Sequence, residues 1–393
     1  MAFISGPDGD LKTSFVSDAF LLDQFVGNTM FVWGDGSYGQ LGDNTVTKKS
    51  NPVQTVAGGI NWKQISGSLN VHTVGIKTDG TLWGWGNNAN GQLGDSTIIN
   101  RSSPVQTIAY GANWKQVACG YHTAAIKTDG TLWTWGPNAT YGPLGDNTVL
   151  PKSSPVQTVA FGINWKQVSS GLYHCAAIKT DGTLWTWGQN IYAQLGNNTT
   201  ANRSSPVQTV AFGTNWKQVS AGGRTTAAIK TDGTLWCWGD GDKGELGDNL
   251  SYVAGNNRKS SPIQTITFGT NWKQVSAGYY HTTAIKTDGT LWCWGSNTNG
   301  QLGDNTIVSK SSPVQTIAFG TSWKQVSAGY KFTAAIKTDG TLWNWGANTT
   351  YGQLGDNTTA SRSSPVQTTA YGTNWKQVSC GGYHTVAVTN GDI

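Results

Sequence analysis

The sequence is short of charge, and above all of glutamate. Charged residues make up 12% of the 393-residue chain, and Glu245 is the only glutamate in it. No pair of carboxylates, no Ser-His-Asp arrangement and no phosphate-binding glycine loop stands out. The sequence therefore predicts a protein without enzymatic activity, without a cofactor and without a bound metal.

Cysteine is also scarce, and its pattern excludes two kinds of site. The five cysteines are odd in number and contain no Cys-x-x-Cys spacing, so neither a disulfide framework nor a zinc ribbon is indicated. Each cysteine stands where other parts of the chain have a small residue or threonine. Buried free thiols are the simplest interpretation.

Targeting and membrane-spanning segments are missing as well. Residues 1–27 contain four aspartates and lack the basic region and long apolar core of a secretory signal. No stretch approaches the ~18 apolar residues of a membrane span. The net charge of +5 is small and its lysines are distributed evenly, so we expect neither membrane insertion nor nucleic-acid binding.

What the chain does have is a repeat that occurs seven times. A Trp-Gly pair recurs at intervals of 50 to 56 residues, and a Trp-Lys-Gln triplet recurs between successive pairs. A fixed period near 50 residues is typical of a propeller. The Trp-Gly tryptophans are Trp33, Trp85, Trp135, Trp187, Trp238, Trp294 and Trp345.

One repeat reads as about four short antiparallel strands. Asp339-Gly340 separates two β-prone runs, and this dipeptide suits a two-residue type I′ hairpin. The two ends of the chain complement each other, because residues 30–34 match the last part of a repeat that residues 384–393 leave incomplete. We therefore expect an all-β, seven-bladed propeller over residues 29–393, closed by pairing of its N- and C-terminal strands, with residues 1–28 as a short N-terminal extension.

The repeat also resembles a known family. Gly-Tyr-His-Thr-Ala-Ala-Ile-Lys-Thr-Asp-Gly-Thr-Leu-Trp-x-Trp-Gly, followed by Gly-Gln-Leu-Gly-Asp-Asn-Thr, is similar to the regulator of chromosome condensation repeat. The resemblance covers residues from about 30 to 393 and implies a seven-bladed propeller. The family's founder is a chromatin-bound exchange factor for a small GTPase that uses an inserted wedge, and a bacterial relative inhibits β-lactamases through its loops. The insertion here, Leu250 to Asn257, is polar and glycine-containing, so we do not expect exchange activity.

Two clusters of potential ligands favour structural roles. All five histidines occupy one repeat position, where five separate blades would keep them from converging on a metal. We expect them to hydrogen-bond the backbone of neighbouring blades. Asp240, Asp242, Glu245 and Asp248 form the densest group of carboxylates, but their spacing does not match a calcium-binding loop.

The positions at which the repeats differ predict a binding face. Tyrosine and arginine are common interface anchors, and several of them follow the Ser-Gly or Ala-Gly of the repeats. A second candidate is a ring of basic residues before each Ser-Pro, and the sequence does not decide between the two. The first set, which we call the rim, comprises Tyr121, Tyr173, Arg224, Tyr279, Tyr280, Tyr330, Lys331 and Tyr383.

The N-terminal extension predicts a docking segment. It reads as a short capped helix that must pack on something, either the propeller or another protein. Its apolar residues are Phe20, Leu21, Leu22, Phe25 and Val26. A short anchor before a nearly identical repeat resembles accessory virion proteins of some bacteriophages.

The leading functional hypothesis is a non-enzymatic structural and binding protein of a virus particle. Residues 1–28 would dock to other virion proteins, and the rim would contact a host surface protein or glycan. The missing signal, the low-charge surface rich in Thr and Asn, and the apolar extension support this hypothesis. The alternatives are a secreted or surface-bound bacterial binding or inhibitory propeller, and a small-GTPase exchange factor.

Overall fold

A computed structural model describes residues 28–56, 61–108, 111–159, 162–210, 213–250, 257–266, 269–317, 322–369 and 372–390. The regular structure in these ranges is β-strand, arranged in seven four-stranded antiparallel sheets. Among the same residues, no helix is long and apolar enough to span a bilayer. The predicted all-β propeller with seven blades is confirmed.

The strands are short, five to seven residues each. In chain order they are β1 (Met30–Gly34), β2 (Lys49–Gln54), β3 (Trp62–Gly67), β4 (His72–Lys77), β5 (Leu82–Gly86), β6 (Arg101–Gln106), β7 (Trp114–Cys119), β8 (Thr123–Lys127), β9 (Leu132–Gly136), β10 (Lys152–Gln157), β11 (Trp165–Ser170), β12 (His174–Lys179), β13 (Leu184–Gly188), β14 (Arg203–Gln208), β15 (Trp216–Ala221), β16 (Thr225–Lys230), β17 (Leu235–Asp240), β18 (Arg258–Gln264), β19 (Trp272–Ala277), β20 (His281–Lys286), β21 (Leu291–Gly295), β22 (Lys310–Gln315), β23 (Trp323–Ala328), β24 (Phe332–Lys337), β25 (Leu342–Gly346), β26 (Arg362–Gln367), β27 (Trp375–Cys380) and β28 (His384–Thr389).

Six blades are built from four consecutive strands, starting with β3–β6 as blade one. In each blade the first strand lies nearest the axis, where it contacts the first strands of both neighbouring blades. The seventh blade has the order β27, β28, β1, β2. Its β1 pairs with β28 in the register Val32 to Val386, so the predicted closure between the two ends of the chain is confirmed.

The hydrophobic core lies between blades. One cluster combines Val32, Leu41 and Val386 of blade seven with Trp62 and Trp85 of blade one, and all five are at most 1% exposed. The indole of Trp85 donates a hydrogen bond to the carbonyl of Gln40 at 3.0 Å. Six of the seven Trp-Gly tryptophans fill the junction with the preceding blade and donate to a backbone carbonyl there, whereas the indole N–H of Trp135 is buried without a partner.

Glutamine side chains join the first strands around the axis. The amide of Gln64 donates to the carbonyl of Val117 at 3.1 Å and accepts from its N–H at 3.0 Å. The other first strands repeat this contact, and Gln377 donates to the carbonyl of Ile65 at 3.4 Å across the closing junction. These amides act as a ladder of hydrogen bonds between blades, where no main-chain ladder runs.

The Asp-Gly hairpins are present, but the predicted turn type is wrong. Lys77 and Thr81 close the loop, and Gly80 alone has a positive φ, of 81°, whereas a type I′ turn needs two such residues. The loop therefore has three residues, with a type I turn followed by a left-handed glycine. Asp79 explains the difference, because its carboxylate accepts both the N–H and the hydroxyl of Thr81.

The antiparallel blades give the ring two unlike faces. We call one of them the turn face. It contains the start of each first strand and the Asp-Gly turns, because Trp62, at the start of β3, pairs with Lys77, at the end of β4. The loop face carries the other strand ends and the long Gly-Asp-Asn loops. All residues of the rim lie next to the start of a second strand, and therefore on the loop face.

Candidate functional site

The fold positions the rim through the loops that follow the third strands. The backbone N–H of Asp35 donates to the carbonyl of Tyr383 at 2.9 Å, and Gln189 holds the carbonyl of Tyr173 in the same way at 2.8 Å. Each rim residue is half-buried. Its backbone is therefore fixed while part of the side chain stays open to a partner.

The rim tyrosines contact one another across blade junctions. The ring centroids of Tyr279 and Tyr330 are 4.6 Å apart, and those of Tyr330 and Tyr383 are 5.3 Å apart. Tyr121 and Tyr173 form a second pair at 5.3 Å. Edge-to-face and tilted contacts of this kind stabilise the orientation of aromatic rings.

Arg224 lies between the two tyrosine groups. Its guanidinium is 4.3 Å from the centroid of Tyr192 and 6.0 Å from those of Tyr279 and Tyr280. It also reaches Asp240 at 3.5 Å. The rim thus runs over blades two to seven as a nearly continuous belt, with the stacked Arg224 in the middle.

Three members of this belt were missed at the sequence level. Tyr141 packs on Tyr173 at 5.4 Å, Tyr351 packs on Tyr383 at 5.0 Å, and Tyr192 stacks with Arg224. They come from the loops after the third strands. A tyrosine one or two residues before Gln-Leu-Gly, or Pro-Leu-Gly in one repeat, was the available signal.

A cavity opens beside the belt, lined by residues of blades four, five and six. Its volume is about 660 Å³, and its lining includes Asp242, Lys243, Tyr280, Lys310 and Lys331. The size is that of a small-molecule or side-chain pocket. It combines one aromatic wall with three lysines and one carboxylate.

The acidic segment beside the cavity contains one unusual carboxyl. Glu245 occupies the position of Gln40, whose amide donates to Asp35 at 2.9 Å in blade seven. Burial, together with the neighbouring Asp240 and Asp242, raises the pKa of Glu245 to about 8. Glu245 is therefore largely protonated at neutral pH, and its carboxyl takes the place of the glutamine amide.

The second basic ring is paired with carboxylates. Arg101 contacts Asp95 at 3.0 Å, and Arg362 contacts Asp356 at the same distance. Four lysines have equivalent contacts of 3.6 to 4.0 Å, whereas the repeat that contains Arg203 has Asn197 in place of the aspartate. Most of the positive potential of this ring is cancelled by the aspartates of the Gly-Asp-Asn loops.

The five histidines bridge blades, through side chains rather than the backbone we expected. His281 lies 2.9 Å from the hydroxyl of Thr333, and His384 lies 2.9 Å from that of Thr73. His122 contacts Cys175 and Ser170 instead. All five are fully buried, and burial lowers the pKa of His281 to about 3.

The structure gives no support for a metal site among the described residues. No three His, Cys, Asp or Glu side chains within those ranges are arranged to hold an ion. All five cysteines are buried and free, which confirms their sequence interpretation. The predicted docking residues Phe20, Leu21, Leu22, Phe25 and Val26 lie outside the described residues.

Comparison with known proteins identifies the family. The RCC1-like domain matches residues 20–269 and, in a second overlapping alignment, residues 120–393. The chain belongs to the RCC1-like domain family. The resemblance noted from the repeat sequence is thereby confirmed.

Curated relatives of this RCC1-like domain have different roles. The ultraviolet-B receptor UVR8 of Arabidopsis thaliana is 34% identical over 325 residues, which cover 81% of this chain and 72% of the receptor. The human E3 ubiquitin-protein ligase HERC2 is 29% identical over 371 residues, 91% of this chain. The match spans only 8% of HERC2, so the ligase activity in its name belongs to a far longer protein.

Solved structures show the same architecture at low identity. Human WBSCR16 superposes with a TM-score of 0.80 and 21% identity, covering 92% of this chain and 99% of that one. Prp20p of Saccharomyces cerevisiae superposes with a TM-score of 0.81 and 18% identity, covering 97% and 96%. At these identities the likeness supports the fold alone.

Proposed function

We propose that this RCC1-like domain is a non-enzymatic binding protein that holds a partner protein on its loop face. The observation that carries the proposal is the belt of tyrosines with Arg224, which runs across six blades. Tyrosine and arginine are enriched among residues that dominate interface energies. Here their rings are held by one another before any partner arrives, which lowers the entropy cost of binding.

The cavity beside Tyr280 adds a pocket for one anchoring group. Tyr280 and Lys331 line the cavity and also belong to the rim. An interface of this kind usually has a buried anchor surrounded by flatter contacts. A partner segment carrying an acidic or polar anchor fits the three lysines of the lining.

Partner capture with matched variants tests this proposal. Wild-type protein, Tyr280→Ala/Tyr330→Ala and the control Thr231→Ala/Thr338→Ala, at two exposed positions of the turn face, would be immobilised and compared by quantitative mass spectrometry. We expect proteins captured by the wild type and the control to fall at least tenfold with the rim variant. Equal capture by all three proteins would contradict the proposal.

The virion location stays a prediction made from the sequence. None of the relatives reported above is described as a virion protein. Support comes from the low-charge, Thr- and Asn-rich composition and from the apolar extension. Mass spectrometry of purified particles tests it, and a particle proteome lacking this chain would contradict it.

The two alternatives are tested separately. Fractionation of the producing cell would test whether the protein is a secreted or surface-bound bacterial propeller. Prp20p is described by its binding to Gsp1p and histones, but exchange activity in this chain is not favoured by any contact in the described residues. The insertion that would have to supply a wedge falls largely at residues 251–256, outside those ranges.

A further inference from the structure

A ring of seven lysines lies on the turn face, opposite the rim. Each is the second residue of a first strand, the strand nearest the axis, and each is exposed. We call this set the lysine ring. Its members are Lys63, Lys115, Lys166, Lys217, Lys273, Lys324 and Lys376.

A β-bulge places each of these lysines. In blade one the pairing steps from Trp62–Lys77 to Gln64–Ile76, which leaves Lys63 as an extra residue. The same shift occurs in the first strand of every other blade. A bulge interrupts the regular alternation of side chains between the two faces of a strand. In all seven first strands the extra residue is a lysine.

Within the described residues, no carboxylate pairs with the lysine ring. None of its amines forms an ion pair or hydrogen bond with another described residue, whereas six of the loop-face cations that precede the Ser-Pro segments are paired with aspartates. Further out on the turn face, six lysines stack on tryptophans and six aspartates occupy the Asp-Gly turns, so their charges balance. The lysine ring is left as an excess of seven positive charges around the axis.

The spacing of the ring makes the charges act together. Neighbouring first strands lie side by side around the axis, and each has its lysine at the same position, next to its first residue. In physiological salt, screening between charges on such adjacent strands acts over a length of about 8 Å and is incomplete. Each ammonium therefore adds to the potential of its neighbours, and the repulsion among them is relieved by an anion at the centre.

We propose that the lysine ring binds a compact phosphorylated polyanion on the propeller axis. Lysine ammonium groups serve as point-charge phosphate ligands on flexible stems, which suits an anion approached from several sides. Among the described residues, the tryptophans that begin the first strands are buried, with 1 to 2% exposure, so they offer no open face for stacking nucleobases. A closed circle also lacks the linear track along which a nucleic-acid backbone is neutralised.

Isothermal titration of the full chain with sodium tripolyphosphate tests the proposal in solution. We expect one tripolyphosphate per chain, with an affinity that falls as sodium chloride is raised. The variant Lys63→Gln/Lys166→Gln/Lys273→Gln should bind at least tenfold more weakly. Thermal melts of each variant would establish that the ring remains folded.

A matched control removes the same number of charges from the other face. Lys48→Gln/Arg203→Gln/Arg258→Gln should change the affinity by less than twofold. The proposal is overturned by undetectable binding, by several tripolyphosphates per chain, or by equal losses in both triple variants. It is also overturned if a single-stranded oligonucleotide with the same number of phosphates binds more tightly than tripolyphosphate.

Discussion

At the scale of single residues, Glu245 shows how a substitution in one repeat lowers the stability of the fold. Five other repeats have a glutamine at this position and one has Pro143. The amide carbonyls of Gln40 and Gln92 each accept a backbone N–H. Glu245 accepts the N–H of Lys243 in the same way, at 2.8 Å. The remaining carboxyl oxygen can match the glutamine amide only when it carries a proton.

We expect Glu245→Gln to stabilise the protein at high pH. Folding raises the pKa of Glu245 from 4.5 to about 8, so the folded state holds a proton that the unfolded state releases between those values. The free energy of unfolding therefore falls as pH rises through this window, and the variant avoids that loss. Urea unfolding at pH 8.5 should show a gain of roughly 1–3 kcal/mol, with little difference at pH 4.5.

The matched control is Gln40→Glu, which places the same carboxyl beside Asp35. It should introduce a pH dependence of the same sign in blade seven, because Asp35 would face it as Asp240 faces Glu245. Parallel stability curves for the wild type and Glu245→Gln across this pH range would show that Glu245 is not held protonated by the fold.

The rim illustrates how far residue types could be predicted from the sequence. Its residues were found because they vary among otherwise similar repeats, and the structure places all of them on one face. Their function as a binding site stays a prediction. Tyr141, Tyr192 and Tyr351 were missed because they come from a different loop, and only the packing of the blades brings the two loops together.

At the scale of elements, β1 is the strand that closes the ring. It lies between β28 and β2, and its Val32 and Trp33 are fully buried. Without β1, two strand edges would be exposed at the closing junction. Unpaired edges of this kind favour aggregation.

We expect deletion of residues 1–34 to abolish cooperative unfolding and to yield aggregated protein. Deletion of residues 1–27 is the control, and it should retain a single thermal transition because β1 is kept. Thermal denaturation and size-exclusion chromatography would distinguish the two. A synthetic peptide of residues 28–40 should partly restore the shorter chain, by the strand addition seen in other sheet edges.

A monomeric, cooperatively unfolding chain without residues 1–34 would contradict the role assigned to β1. The closure itself could be predicted from the sequence, because the two half-repeats are visible at its ends. The turn type could not, since Asp-Gly suits both two- and three-residue hairpins. The contacts of Asp79 with Thr81 decide in favour of the longer loop.

At the scale of the whole molecule, buried histidines link five of the seven blade junctions. The other two junctions have Thr225 and Phe332 at the equivalent position. Burial holds the pKa of His72, His122, His174 and His281 near 3 and that of His384 near 4, against an ordinary value of 6.5. The folded ring is therefore built from neutral imidazoles.

We expect the ring to lose stability on acidification. Below pH 6.5 the unfolded chain binds protons that the folded chain does not, so the free energy of unfolding falls as pH drops toward 3 to 4. At pH 5 each histidine accounts for up to about 2 kcal/mol of this loss. Urea unfolding at pH 7.5 and 5 would measure it.

Phe332 stands at the histidine position of its repeat, and it suggests a variant that tests whether the buried histidines cause the loss of stability in acid. His174→Phe/His281→Phe removes two titrating groups while filling the same space, and it should reduce the loss between pH 7.5 and 5 by about 2–4 kcal/mol. Thr225→Val, at the same ring position, should leave the pH dependence unchanged. If the double phenylalanine variant lost as much unfolding free energy on acidification as the wild type, the loss would have to come from other titratable groups.

The lysine ring was not predicted from the sequence, although all seven lysines are visible in it. The even spacing of basic residues suggested a uniformly solvated surface. Only the radial position of the first strands shows that one set lies around the axis, while most of the other basic residues are paired or stacked. The arrangement of charges around the axis depends on how the blades close into a ring, and the linear order of the repeats does not show this.

The closing blade also determines on which face of the ring an attached group will lie. The backbone enters β1 at Thr29 and leaves β28 at Thr389, two residues joined by a hydrogen bond of 2.9 Å at the turn-face end of the sheet. A tag, fluorophore or sensor chip attached directly at Thr29 or Thr389, in a chain trimmed to these residues, will therefore sit on the lysine side and leave the tyrosines outward. Immobilised protein is the right format for seeking partners of the aromatic belt, whereas anion binding has to be measured with both ends free.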